Sequence, residues 1–139
     1  MRICSFLPSA TEIVYCLGLN SSLYGVSHEC DYPTEALSKP KLVKNKINVP
    51  SWGSKAIDDQ LSEMYARGER PYEIDLEVLI QAKPDLVITQ GLCDVCAIAI
   101  EDVEAALVHL NSPTSVDFTQ PTQLGRYLSR YRKDRSVHR

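Results

Sequence analysis

The sequence predicts an α/β fold, a three-layer sandwich built on a mostly parallel sheet of about four to five strands. Three observations lead there. Short apolar runs suited to buried strands alternate with stretches whose apolar residues recur at helical spacing, which is the order that makes βαβ units. Such units cross over right-handedly and leave helices on both faces of the sheet. The 139 residues, 44% apolar and 24% charged, suffice for one domain with its own core and are too few for two.

The elements follow in order. Ile3 to Leu7 reads as a short buried strand. Ser9-Ala10-Thr11-Glu12 has the Ser-x-x-Glu spacing of a capping box, and Ile13, Val14, Cys16 and Leu17 continue at helical spacing until Gly18 or Asn20 stops the helix. Leu23 to Ser27 reads as the second strand, Tyr32-Pro33 through Pro40 as a short helix and turn, Lys41 to Val43 as a weak strand, and Asn45 to Gly53 as a loop. Ile57, Leu61, Met64 and Tyr65 fit one helix ending near Gly68. Tyr72, after Pro71, is placed as a packing residue at a helix entry. Asp75 caps a helix that carries Leu76, Leu79 and Ile80 and is closed by Pro84. Asp85 to Thr89 is the clearest strand in the chain. Val95 to Leu107 is helical and Val108 to Leu110 reads as a last strand. Beyond Asn111 the periodicity fades, apart from a short helical pattern from Leu124 to Tyr131. The expected division is a folded unit over 1–111 and a weakly structured basic tail over 112–139.

Net charge is −3 but uneven. From Arg126 onward six Lys/Arg face one acid, Asp134, which leaves residues 1–125 with nine basic against seventeen acidic groups. An acidic body is a poor surface for nucleic-acid phosphates. No run approaches the ~18 apolar residues of a membrane span. The opening residues lack the long apolar segment and small-residue cleavage site of a secretory signal, so the sequence as written places the protein in the cytoplasm. The cysteines, Cys4, Cys16, Cys30, Cys93 and Cys96, are odd in number. Complete pairing is impossible, and a tight Cys-x-x-Cys among reduced thiols points to metal or redox chemistry.

In an open parallel sheet, loops leaving the carboxyl ends of the strands share one edge, where ligands bind. The chemically loaded residues fall there. The first strand runs into Pro8-Ser9-Ala10-Thr11, the second into His28-Glu29-Cys30-Asp31, and the strong strand into Gln90-Gly91-Leu92-Cys93-Asp94-Val95-Cys96. His28, Cys30, Cys93 and Cys96 form a candidate metal set, because a Cys-x-x-Cys pair grips one tetrahedral ion and a His/Cys pair completes four ligands. The same residues also read as semi-buried reduced thiols beside a backbone-bonded histidine. Strand, Cys93-x-x-Cys96, helix is in addition a placement for thiol redox chemistry, although Asp94 disfavours a thiolate. Ser9 and Thr11 offer hydroxyls to an anionic group or cap the first helix. Trp52 stacks on a flat ligand or covers the core edge. His109 and His138 read as surface groups, and no Ser-His-Asp arrangement or phosphate-cradling glycine loop can be assembled.

Arg2-Ile3-Cys4-Ser5-Phe6-Leu7-Pro8-Ser9-Ala10-Thr11-Glu12, Leu17-Gly18-Leu19, Tyr24-Gly25-Val26-Ser27, Asp31-Tyr32-Pro33 and Lys83-Pro84-Asp85-Leu86-Val87-Ile88 follow one another in order. This series resembles the amino-terminal lobe of the cobalamin- and iron-siderophore-type substrate-binding proteins of ABC importers. Ser27 to Pro33, with Leu92 to Ala97, is similar to a cobalamin-binding-protein-like branch. The resemblance covers about residues 2 to 110 and implies a single lobe of a two-lobe fold joined by a rigid helix. Residues 112–139 are then the start of that linking helix. The ligand implied is cobalamin or another metal-containing cofactor, held by Ser9, Thr11, His28, Glu29, Trp52 and Gly91. Glu77 matches the surface glutamate that docks on a permease.

Three departures accompany the likeness. The second lobe is missing, which reads as a truncated binding protein or as one lobe that pairs with a second lobe or dimer partner. His28-Glu29-Cys30 stands where cobalamin binders tend to present an aromatic. There is no export signal, whereas family members usually work in the periplasm or anchored outside the membrane. The expected function is therefore non-catalytic binding of a small-molecule ligand. A zinc-stabilised structural domain and a Cys-x-x-Cys thiol oxidoreductase stand as the alternatives.

Overall fold

The computed structural model describes residues 1–47, 54–90, 98–110 and 113–118. Its elements run β1 (Ile3–Ser5), α1 (Pro8–Cys16), β2 (Leu23–Val26), β3 (Val43–Asn45), α2 (Ser54–Ala66), β4 (Tyr72–Ile74), α3 (Leu76–Ala82), β5 (Leu86–Thr89), α4 (Ile100–Leu107) and β6 (Ser115–Phe118). Short 3₁₀ turns at Asn20–Ser22 and Thr34–Ser38 flank β2.

Among the described residues four strands form one parallel sheet, as the alternating pattern predicts, in the order β2-β1-β5-β6. Successive side chains of a strand point to opposite faces, so each central strand feeds two cores. Ile3, Leu86 and Ile88 pack with Ala10 and Val14 of α1 on one face. Cys4 and Val87 pack on the other face with Leu79 of α3 and Val103 and Ala106 of α4. Helices thus cover both sides, giving the three layers. Residues 40–42 run beside β2, where Val26 N donates to the Pro40 carbonyl (2.9 Å) and Leu42 N to the Val26 carbonyl (2.8 Å). No described helix is long and apolar enough to cross a membrane.

Local chemistry sets the helix ends. Helix α1 begins two residues earlier than the capping-box pattern predicts: Leu7 is the N-cap, no side chain caps it, and Pro8 takes a first-turn position. Proline lacks the N–H that would go unsatisfied there, and its φ already suits a helix. Ser9 therefore lies inside the first turn rather than capping it. Gly18, at φ +69°, ends α1 as expected, with Gly18 N donating to the Tyr15 carbonyl and Leu19 N to that of Val14. Asp75 caps α3 as expected and accepts from Val78 N at 3.3 Å.

Further expectations fail: the helix expected over Val95 to Leu107 does not include Ala99, an extended N-cap before α4. Tyr72 does not open a helix; it begins β4, which pairs antiparallel with β3 through Val43↔Ile74 and Asn45↔Tyr72. Ion pairs Lys44–Asp75 and Lys46–Glu73, both 2.8 Å, reinforce this pair. Three residues are too few to show a period of two. Val108 to Leu110 is no strand either: Val108 N still bonds the Glu104 carbonyl, and Val108 is 82% exposed. The fourth strand of the sheet is β6, beyond the expected boundary at 111, in register with β5 from Leu86↔Ser115 to Thr89↔Phe118.

Candidate functional site

The strand order reverses between β1 and β5. From β1 the chain steps outward through α1 to β2, and it later returns to β5 on the other side of β1. A parallel sheet opens a crevice at such a point, outside the carboxyl ends of its strands. A cavity of about 340 Å³ lies there, lined from the end of β1 by Phe6, Leu7, Pro8 and Ser9 and from the end of β2 by Ser27, His28 and Glu29. Among the described residues, Gln90 after β5, Ile98, and Val43 and Tyr72 of the β3–β4 pair also line it.

Each rim residue is held from below. The turn from β1 into α1 is pinned by the buried Ser5 hydroxyl, which donates to the Leu7 carbonyl at 2.9 Å. Phe6 N donates to the Ile88 carbonyl at 2.9 Å, tying the β1 exit to β5. After β2, Cys30 N closes a turn onto the Ser27 carbonyl (3.1 Å), and Lys41 Nζ donates to the Cys30 carbonyl (2.9 Å). Ser27 is buried and its Oγ lies 3.4 Å from His28 Nδ1. The half-buried imidazole packs on the Tyr72 ring with centroids 4.9 Å apart and planes tilted by 36°. Glu29 Oε1 lies 4.0 Å from His28 Nε2. The result is an imidazole steadied on one edge and one face, set among Phe6 and Tyr72 rings and two rim polar groups, Ser9 and Glu29. That combination suits a flat ligand with a polar or metal centre.

The structure brings Ser9, His28 and Glu29 together in this cavity. It does not bring Thr11 or Cys30 there. Both are fully buried, with Thr11 Oγ1 and Cys30 Sγ 3.2 Å apart, and Cys30 belongs to the core cluster beside α1. Burial pushes the Cys30 thiol above its ordinary pKa against the lowering effect of Thr11, which favours the protonated form that a core sulfur adopts. Glu77 is exposed in the first turn of α3, away from the cavity. Trp52, Gly91, Cys93 and Cys96 lie outside the described residues. Among the described residues no three His, Cys, Asp or Glu gather as a metal cage.

Sequence reasoning missed Phe6, Ser27, Val43, Tyr72 and Gln90. The pattern puts Phe6 inside the first expected strand and Ser27 at the end of the second, and each follows the last paired residue by one position. Gln90 heads the loop that the sequence places on this edge, directly after the clearest strand, but the sequence gives it no role. Nothing local signals that Tyr72 reaches His28.

No family model matches the chain. Vitamin B12-binding proteins from strains of Vibrio cholerae are 30% identical over 87 residues, covering 63% of this chain and 22% of theirs. The chain thus matches about a fifth of the length of these curated relatives. Three solved structures share the fold. The periplasmic vitamin B12 binding protein of Vibrio cholerae aligns with a TM-score of 0.52 and 19% identity, over 98% of this chain and 48% of that one. The periplasmic heme-binding protein of Roseiflexus sp. RS-1 aligns with 0.55 and 19%, over 96% and 43%. The periplasmic heme-binding protein of Vibrio cholerae aligns with 0.51 and 14%, over 96% and 47%. The fold is therefore that of about half of a periplasmic binding protein, and the resemblance read from the sequence leads to these same proteins. Their names carry vitamin B12 and heme, and none carries zinc.

Proposed function

We propose that this chain is a non-catalytic binding lobe for a metal-centred tetrapyrrole, the chemical class that vitamin B12 and heme share, in the substrate-binding component of an ABC importer. The observation that carries the reading is the cavity at the ends of β1, β2 and β5, with His28 held between Ser27 and Tyr72. Its volume is at the low end of the ~300–1,000 Å³ range of small-molecule sites. That suits one wall of a cleft whose other wall comes from a second lobe or a partner. Phe6 and Tyr72 supply stacking area, Ser9 and Glu29 hydrogen bonds at the ring edge, and His28 Nε2 the group directed at the metal. Trp52 and Gly91 extend this set by their place in the sequence. The work site is the periplasm, where the solved neighbours act, and Glu77, exposed on α3, is the group we assign to permease contact.

The test is titration of reduced protein with haemin and, separately, with cyanocobalamin, followed by absorbance and calorimetry. At least one is expected to bind with a Kd on the order of 1–100 µM, and His28→Ala to weaken haemin binding about tenfold and shift its absorbance band. Absence of heat and spectral change with both compounds overturns the reading.

A further inference from the structure

Ser27 is 4% exposed, and among the described residues its Oγ has one hydrogen-bond partner, His28 Nδ1 at 3.4 Å. A hydroxyl taken out of water is costly unless it is bonded, so a serine whose bond goes to a rim imidazole ties its own burial to that ring. Its backbone is fixed. Ser27 follows Val26, which is in register with Ser5 of β1, and its carbonyl accepts Cys30 N at 3.1 Å. The ring is steadied as well: Tyr72 packs on its face, and Glu29 Oε1 stands 4.0 Å from Nε2, beyond hydrogen-bond distance. The two nitrogens thus look different ways, Nδ1 to the buried serine and Nε2 to the side of half-exposed Glu29, which lines the cavity.

We propose that Ser27 is the positioning residue for His28: its hydroxyl accepts the Nδ1 proton and leaves the Nε2 lone pair bare, so the site tells a metal-loaded ring from the same ring without its metal. The inference rests on the binding reading above and goes beyond it by assigning the group that sets which nitrogen carries the proton. A neutral imidazole has one proton for two nitrogens, and the bond made by one decides what the other can do. A serine hydroxyl both donates and accepts, so it satisfies the ring in either form. With the proton on Nε2, His28 is a hydrogen-bond donor on the Glu29 side and offers nothing to an electron-pair acceptor. With the proton on Nδ1, it is a Lewis base there, and Ser27 Oγ is the acceptor that the described residues give that N–H. Alanine at position 27 leaves the N–H without its partner in the second form, the one a metal requires. Stacking on Phe6 and Tyr72 is the same for a ring with or without metal, so a metal-free ring reports the cavity alone.

The experiment uses the full chain and two probes of one shape, haemin and metal-free protoporphyrin IX, followed by absorbance and fluorescence. The unsubstituted chain is expected to bind haemin about tenfold tighter than protoporphyrin IX. Ser27→Ala is expected to lose about tenfold on haemin, with the absorbance band moving back toward that of free haemin, and to bind protoporphyrin IX unchanged. Ser27→Thr keeps the hydroxyl and is expected to restore both affinity and band; if the larger threonine melts early, the two probes on Ser27→Ala decide the matter by themselves. An equal loss on both probes shows a serine that only supports the fold and overturns the proposal, as does an unchanged haemin band in Ser27→Ala. If neither haemin nor cyanocobalamin binds the unsubstituted chain, the binding reading fails and this proposal with it, a result distinct from a missing Ser27 effect.

Discussion

Gly25 gives the sharpest test of how β2 is seated, and with it the loop that carries His28. A Cβ built on Gly25 would lie 2.7 Å from Cδ2 and 2.8 Å from Cγ of Leu42. Ordinary carbon–carbon contacts are ~3.5–4.0 Å, so the methyl is short of room by about an ångström. Leu42 is fully buried among Val43, Leu79 and Val87 and has no open side to swing into. Overpacking of this kind costs ~1–3 kcal/mol, and the reduced freedom of the unfolded chain on replacing glycine returns ~0.4–1 kcal/mol. The net expectation for Gly25→Ala is a loss of about 1–2 kcal/mol, which lowers Tm by roughly 3–10 °C for a chain of this length. A double-mutant cycle in urea isolates the cause. Leu42→Ala is costly alone, yet in its background Gly25→Ala should cost almost nothing, giving a coupling of about 1–2 kcal/mol. Equal costs in both backgrounds, or an unshifted Tm, would show that the close approach of residues 40–42 to β2 is not what Gly25 serves.

Two further outcomes follow from named groups. The Lys44 ammonium, bonded to Asp75, holds that carboxyl below its ordinary range against partial burial, and Val78 N assists. A carboxyl whose folded pKa is depressed stabilises the fold above about pH 4 and loses that contribution as pH falls through the folded value. Melting from pH 6 to pH 3 should therefore be flatter for Asp75→Asn than for the natural chain, and Asp75→Ala should lose ~0.5–2 kcal/mol at pH 7 with its cap; parallel pH profiles would refute this. Burial pushes the Cys4 thiol up to about 12 and raises that of Cys30, whereas Cys16 is exposed. Iodoacetamide at pH 8 should therefore modify Cys16 in the folded chain and reach Cys4 and Cys30 after urea is added, as read by peptide mass mapping; equal rates at Cys4 and Cys16 would contradict the packing.

What was legible in the sequence is what depends on neighbours along the chain. Leu86 to Ile88 is apolar throughout, with Thr89 buried beside it, because β5 is buried on both faces, and that continuity marks a central parallel strand. Gly18 and Asp75 act within one helical turn, so their roles could be read directly. The three-residue strands β3 and β4 carry too little pattern, and β6 follows a helix with weak apolar alternation of its own. Placing His28, Glu29 and Ser9 on one edge needed nothing but strand direction, and they share a cavity. Cys30 needed a rotamer as well. Two residues after His28 in a tight turn, its sulfur turns to Thr11 and the core, a distinction that loop membership does not contain. Tyr72 reaches His28 from 44 positions away, through a pairing that only the folded chain reveals.

The pairing of β1 with β5 has a consequence for how this molecule is made. Arg2 N donates to Asp85 Oδ2 at 2.7 Å, a bond between groups 83 positions apart, and Ile3 to Ser5 lie against Leu86 to Ile88 beside it. β1 thus leaves the ribosome long before its partner β5, with its local partnership with β2 available in the meantime. Closing so long a loop is entropically expensive, so the middle of the sheet is a late event in folding and the nascent amino-terminal segment stays open to chaperones until Ile88 has emerged.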